Sequence, residues 1–169
     1  MKKSKQAPVK NEEIFEVVYK KALNFLSFKE RTLSELDEAI GKYLFRVSIP
    51  RNEKENLKKE VLEELGKELI VDDASYVKDY ILECVQAGRQ VSKNQISQFL
   101  YRKGIPREDI TEGIEKYYTP EVEEDMILSL CEKKMTSTAD RSKMLRYLLS
   151  KGFTPSIVYA VVDTKFKRY

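Results

Sequence analysis

Apolar positions recur at three- and four-residue spacing along almost the whole chain, the period of a helix that buries one face. Ile14, Val17, Val18, Ala22, Phe25 and Leu26 trace such a face, with Lys21 adding its stem, and predict a first helix over about 12–28. Leu36, Ala39, Ile40 and Tyr43 predict a second, ending near Phe45. Leu57, Val61, Leu62 and Leu65 predict a third, closed by Gly66. Further stripes follow in Tyr76–Val85, Ile96–Leu100, Ile110–Tyr118, Met126–Cys131, Met144–Leu148 and Ile157–Phe166. No run alternates apolar and polar residues as a half-buried strand would.

Stop and start signals agree with that period. Thr32-Leu-Ser-Glu35 and Ser92-Lys-Asn-Gln95 are capping boxes: the hydroxyl accepts the third amide while the Glu or Gln reaches back. Asp72 or Asp73, Thr119 before Pro120, Asp140, and Thr154 before Pro155 supply further N-caps. Gly88, Gly104 and Gly152 supply ends.

The boundaries repeat. Ser92 lies 48 residues before Asp140, and Lys103-Gly-Ile105 lies 48 before Lys151-Gly-Phe153. Thr32–Pro50 is a poorer copy, with Tyr43-Leu44 in place of Lys-Gly and its Ile-Pro-Arg four residues late. A period near 50 with three helices in each predicts an all-α protein of tandem three-helix units. The expected units are 12–66, 67–118 and 119–169, after a disordered basic tail over 1–11. Units this small must stack to share a core, which predicts an elongated molecule with an exposed flank. The tail reads either as a solubilising leader or as a nucleic-acid-binding arm.

Composition narrows the chemistry. Among 169 residues there is no His and no Trp, with only two Cys, six Gly and five Pro. A chain without His has no Ser-His-Asp triad, no Cys-His pair and no His-containing zinc site, and two thiolates do not complete an all-cysteine one. No glycine-rich phosphate loop occurs. Paired carboxylates such as Asp72/Asp73 and Glu123/Glu124 are explained by capping and solvation. The sequence therefore predicts a non-enzyme without cofactor or metal. The longest apolar run, Ile157–Val162, is far shorter than the ~20 residues of a membrane span. No apolar segment follows the Lys-rich start, and the two unclustered Cys suit a reducing compartment, so a cytoplasmic protein is expected.

The net charge of +3 conceals strong blocks. Residues 1–10 carry +4, so the remainder is slightly acidic. Residues 86–107 carry +5 with no acid, 108–125 carry −7, and 141–169 carry +6. Basic blocks thus fall on the middle helix of a repeat and the loop after it. They read either as solvated faces pairing within the molecule or as a stripe facing a polyanion or acidic protein. On the second reading the contact residues are Arg89, Lys93, Arg102, Lys103 and Arg107, then Lys143, Arg146 and Lys151. Arg31 is the best cation of the first unit. Tyr101 lies off the apolar face and is placed to stack on a base, whereas Phe99 and Tyr147 sit at core spacing.

The ordered motifs resemble one family. Leu26-Ser-Phe-Lys-Glu-Arg-Thr-Leu-Ser-Glu-Leu36 resembles the opening repeat of RecX proteins, bacterial regulators of the RecA recombinase. Val71-Asp-Asp-Ala-Ser-Tyr76 is similar to the family's Leu-Asp-Asp-x-x-Phe/Tyr signature. Gly88–Ile105 and Arg141–Val158 are similar to its second and C-terminal repeats. The resemblance implies an elongated, curved stack of three units that binds the RecA filament and suppresses ATP hydrolysis, strand exchange and co-protease activity. It implies no catalysis by this chain. We expect a monomer, with weak direct DNA contact. Phe28 and Lys29 stand where family members often carry Arg-Arg, so the first unit is less basic. Two other readings stay open: a helical protein acting directly on nucleic acid, and a helical protein–protein scaffold.

Overall fold

Capping boxes and helical stripes become helices where the sequence places them. A computed structural model describes residues 8–68, 70–134 and 140–166, with side chains from residue 12 onward. The protein is all-α: the described residues hold nine helices and no strand. These are α1 (Pro8–Leu26), α2 (Leu33–Phe45), α3 (Arg51–Lys67), α4 (Asp73–Gln86), α5 (Lys93–Arg102), α6 (Arg107–Tyr117), α7 (Pro120–Lys134), α8 (Arg141–Ser150) and α9 (Pro155–Phe166).

Both capping boxes form. Thr32 Oγ1 accepts the Glu35 amide at 3.2 Å and Ser92 Oγ accepts the Gln95 amide at 3.3 Å, each with the return bond present. Asp72 is the cap of α4, accepting from the amides of Ala74 and Ser75 at 3.1 and 3.2 Å. A hydrogen bond from the Ser75 side chain holds its carboxyl below the usual range, aided by these amides. Asp140 Oδ1 caps α8 through the Ser142 amide at 2.7 Å. α5 and α8 end alike: Gly104 and Gly152 take positive φ (78° and 82°), letting the next residue fold back. Ile105 and Phe153 are thereby buried against their units.

α2 ends differently. It lacks a glycine at that position, so Arg46 caps it and the chain continues through Val47 and Ile49 before Pro50. Phe45 is left 84% exposed.

The chain divides into two compact units, one reaching Tyr76 and the other starting at Val77. In the first, α1, α2 and α3 close around Val18, Ile40, Leu44, Val61 and Leu65. Asp73, although acidic, is buried there, and its Oδ1 accepts the Leu33 amide at the start of α2 at 2.9 Å. In the second, α5 packs on α6, and α7 and α8 both pack on α9. Its core includes Ile81, Ile96, Leu100, Ile127, Leu148 and Val162. α4 and α6 approach closely at Gly113, where an added Cβ would lie 2.3 Å from Val77 Cγ1.

Three local expectations change. α1 begins at Pro8, which suits the first turn because its missing N–H would have no partner there. Residues 8–11 of the expected tail are thus helical, and 1–7 lie outside the described residues. The α1 face is also rotated: Phe15, Tyr19 and Leu23 pack inward, while Val17 and Lys21 are exposed. Gly66 lies inside the last turn of α3, and Glu68 is the cap.

Candidate functional site

Several part-buried polar contacts tie the second unit together at the start of α5. Glu123, on α7, is fully buried and needs partners, since a lone buried carboxylate is costly. It accepts the Thr154 amide at 2.7 Å and the Thr154 hydroxyl at 2.9 Å, which secures the start of α9. Lys93 Nζ lies 3.5 Å from Glu123 Oε2, the oxygen that also takes the Thr154 hydroxyl, and 5.8 Å from the Tyr118 ring. The Tyr118 hydroxyl donates to the Val91 carbonyl at 2.7 Å, and burial followed by the Glu123 charge pushes its pKa upward. Ser92 donates to the Lys151 carbonyl at 2.6 Å, joining the end of α8 to the start of α5. Gly152 makes this junction possible: a Cβ there would lie 2.8 Å from Asn94 Nδ2.

Several predicted contact residues are drawn into the molecule. Lys93 belongs to the network just described. Arg31 is one-fifth exposed, lies 4.4 Å from the Phe25 ring centroid and 3.9 Å from Glu35 Oε1, and stabilises α2's entry. Arg89 stays exposed but is paired with Glu83, exposed as well. Lys103 and Lys151 lie 5.8 and 5.7 Å from the rings of Phe99 and Tyr147, four residues before each. The repeat-phased lysine thus covers the repeat-phased aromatic. Phe99 also stacks on Tyr80 at 4.3 Å, so both aromatics pack as their spacing predicts.

The rest face outward. Tyr101 is 69% exposed beside Arg102, whose Nε donates to the Gln98 carbonyl at 3.3 Å. Arg146 on α8 repeats that geometry with the Ser142 carbonyl at 3.4 Å. Arg107 at the start of α6 and Lys143 on α8 are exposed. Among the described residues, Arg102, Arg107, Lys143 and Arg146 form no ion pair. By contrast Arg141 is paired with Asp163, and Lys165 with Glu132. The candidate contact residues are therefore Tyr101, Arg102, Arg107, Lys143 and Arg146, each exposed. Their chemistry is bidentate guanidinium and point-charge ammonium recognition of carboxylate or phosphate.

The described residues contain no group of His, Cys, Asp or Glu able to hold a metal ion. No described helix is long and apolar enough to cross a membrane.

No family model matches the chain. It is 31% identical over 143 residues to the regulatory protein RecX of Lactococcus lactis subsp. lactis (strain IL1403), covering 80% of this chain and 50% of that one. It is 28% identical over 150 residues to RecX of Lactococcus lactis subsp. cremoris (strain SK11), covering 85% and 53%. The crystal structure of RecX from Lactobacillus salivarius superposes with a TM-score of 0.76 at 20% identity, over 90% of this chain and 97% of that one. A second RecX crystal structure gives 0.74 at 23% identity, over 96% and 79%. The chain belongs to the RecX family.

The chain spans about half the length of the curated RecX relatives it matches. Within this RecX fold, the first unit offers little from the predicted cationic set, because Arg31 is turned inward. Sequence reasoning missed two buried carboxylates, Asp73 and Glu123. Helical phase carries the missing signal: Glu123 precedes Met126, Ile127 and Leu130 by three, four and seven residues. Asp73 stands in the same relation to Tyr76, Val77 and Tyr80. In both cases the acid on the apolar stripe belongs to a buried junction.

Proposed function

We propose that this chain binds a RecA-type recombinase filament and suppresses its ATPase, strand-exchange and co-protease activities, thereby modulating recombination and DNA repair. It acts in the cytoplasm as a monomer and catalyses no reaction itself. The observation carrying this reading is the outward cationic set Arg102, Arg107, Lys143 and Arg146 with Tyr101, on a chain of the RecX family. A filament of recombinase on DNA presents carboxylates and phosphates in a repeating array. Outward cations on α5 and α6 and on α8, at different positions of the 48-residue repeat, engage such an array at several points. Individually weak contacts on one body then combine through effective concentration. We read the chain as three tandem three-helix units, 12–66, 67–118 and 119–169, a reading supported by the matched ends of α5 and α8.

The test is the DNA-dependent ATPase of the host recombinase with this protein titrated in. The protein is expected to suppress turnover, and Arg102→Glu/Arg107→Glu to require at least about tenfold more protein, a loss of ~1.4 kcal/mol. Lys143→Glu/Arg146→Glu should behave alike, with melting temperatures within a few degrees of the parent. No suppression at several-fold molar excess overturns the reading. The same outward cations also suit direct binding to nucleic acid, whose signature is salt dependence without recombinase.

A further inference from the structure

The first unit holds a cleft of about 480 Å³ between the end of α2 and the start of α3, lined by Gly41, Leu44, Phe45, Ile49, Arg51 and Lys54 among others. It exists because α2 lacks the glycine turn of α5 and α8. There the following apolar residue folds into the core, whereas here the longer loop leaves Phe45 84% exposed at the cleft's edge. Gly41 forms part of the wall. A glycine inside a helix is unfavourable, yet a Cβ at this one would meet nothing within 4 Å. Its missing side chain keeps the cleft open.

Charge identifies the occupant. Lys58 is satisfied by Asp37 at 3.0 Å and Glu55 at 3.4 Å. Arg51 is exposed, and neither it nor Lys54 forms an ion pair among the described residues. Lys54 Nζ donates to the Phe45 carbonyl at 3.4 Å, which leaves its charge unmatched. The cleft therefore has an apolar floor of Leu44, Ile49 and Phe45 and two uncompensated cations on one rim. The one lining carboxylate, Glu55, is held by Lys58 at 3.4 Å, and the apolar floor suits an apolar side chain better than a sugar-phosphate chain. We propose that this cleft docks a short acidic peptide segment of a partner protein. One large apolar side chain of the segment enters beside Phe45, and flanking carboxylates meet Arg51 and Lys54. The size suits one or two large side chains. Its lining residues include none of the cations of α5, α6 and α8, and the proposal does not rest on filament binding.

The experiment is fluorescence polarisation with the full chain and dye-labelled nine-residue Asp/Glu peptides carrying a central Leu, Phe or Trp. Controls are the same peptide with a central Ala and an oligothymidylate of equal charge. At least one apolar-centred peptide is expected to bind about tenfold or more tightly than the Ala-centred one. Phe45→Ala, Gly41→Leu and Arg51→Glu/Lys54→Glu should each weaken it by about tenfold or more. Gly41→Leu fills the cleft from a helical site with open space, so its melting temperature should equal or exceed the parent's, which separates blocked binding from unfolding. Arg102→Glu/Arg107→Glu should leave peptide binding unchanged. Equal binding of apolar- and Ala-centred peptides, or indifference to Gly41→Leu, overturns the proposal. Oligothymidylate binding lost on Phe45→Ala overturns it in favour of a nucleic-acid cleft. No recombinase is present, so either failure leaves the filament reading standing.

Discussion

Single residues decide which charges are available to a partner. Glu123 and Glu124 are neighbours of identical chemistry, yet Glu123 is fully buried among Thr154, Lys93 and Tyr118 while Glu124 is exposed. Replacing Glu123 by Ala leaves the Thr154 amide unpaired and the half-buried Lys93 without its counter-charge. The expected loss is about 2–4 kcal/mol of stability, the range for breaking a buried charged network. Glu123→Gln keeps an acceptor for the amide and should cost about half as much. Glu124→Ala should stay within ~0.5 kcal/mol. Chemical denaturation of the three variants checks the order, and equal losses at 123 and 124 would remove Glu123 from its structural role. Lys93 shows the limit of charge counting: composition places it in a basic block, but it lies three before Ile96 and seven before Leu100, on the stripe that α5 buries.

Elements were largely legible, because caps and stops are local chemistry. Thr32, Ser92 and Asp140 cap, Gly104 and Gly152 turn, and the helices lie between them. Two details escaped. Ile14, Val18, Ala22, Phe25 and Leu26 pack as their period predicts, but Val17 and Lys21 fit that period as well as Phe15 and Tyr19 do, and only packing against α2 and α3 decides between them. Tyr19 is held by its hydroxyl, which donates to Glu68 and has its pKa raised to about 12 by that bond. Glycines inside helices are equally alike in sequence, and their surroundings separate them. Gly66 has nothing within 4 Å of an added Cβ, so Gly66→Ala should stabilise by about 0.5–1 kcal/mol through helix propensity. Gly113 sits at the α4–α6 contact, so Gly113→Ala should destabilise by about 1–3 kcal/mol despite the same propensity gain. Thermal melts of the two variants should therefore shift in opposite directions; a shift of the same sign would mean that α4 and α6 are not packed at Gly113.

At the scale of the molecule, the 48-residue repeat was readable, but periodicity marks where helices begin and end, not which faces they share. The Ser92–Lys151 and Asn94–Gly152 contacts knit two copies of the repeat into one compact unit, and neither residue pair announces itself in sequence. The same folding revises the charge blocks. Arg89, Lys93, Arg141 and Lys165 are matched by Glu83, Glu123, Asp163 and Glu132, so four of the ten described cations in the +5 and +6 blocks already have a carboxylate partner. That bounds any direct contact with nucleic acid. Each phosphate neutralised on duplex DNA contributes about −0.9 to the slope of log affinity against log salt. If Arg102, Arg107, Lys143 and Arg146 supply the contacts, the slope without recombinase should lie near −3 to −4. Arg102→Glu/Arg107→Glu should flatten it by about 2, and reversing Lys143 and Arg146 as well should bring it close to zero. A parent slope near −8 would bring in cations beyond these four, such as Arg51 and Lys54 or the paired lysines and arginines. A slope unmoved by the charge reversals would place the DNA contacts on other cations and leave the outward set to the recombinase.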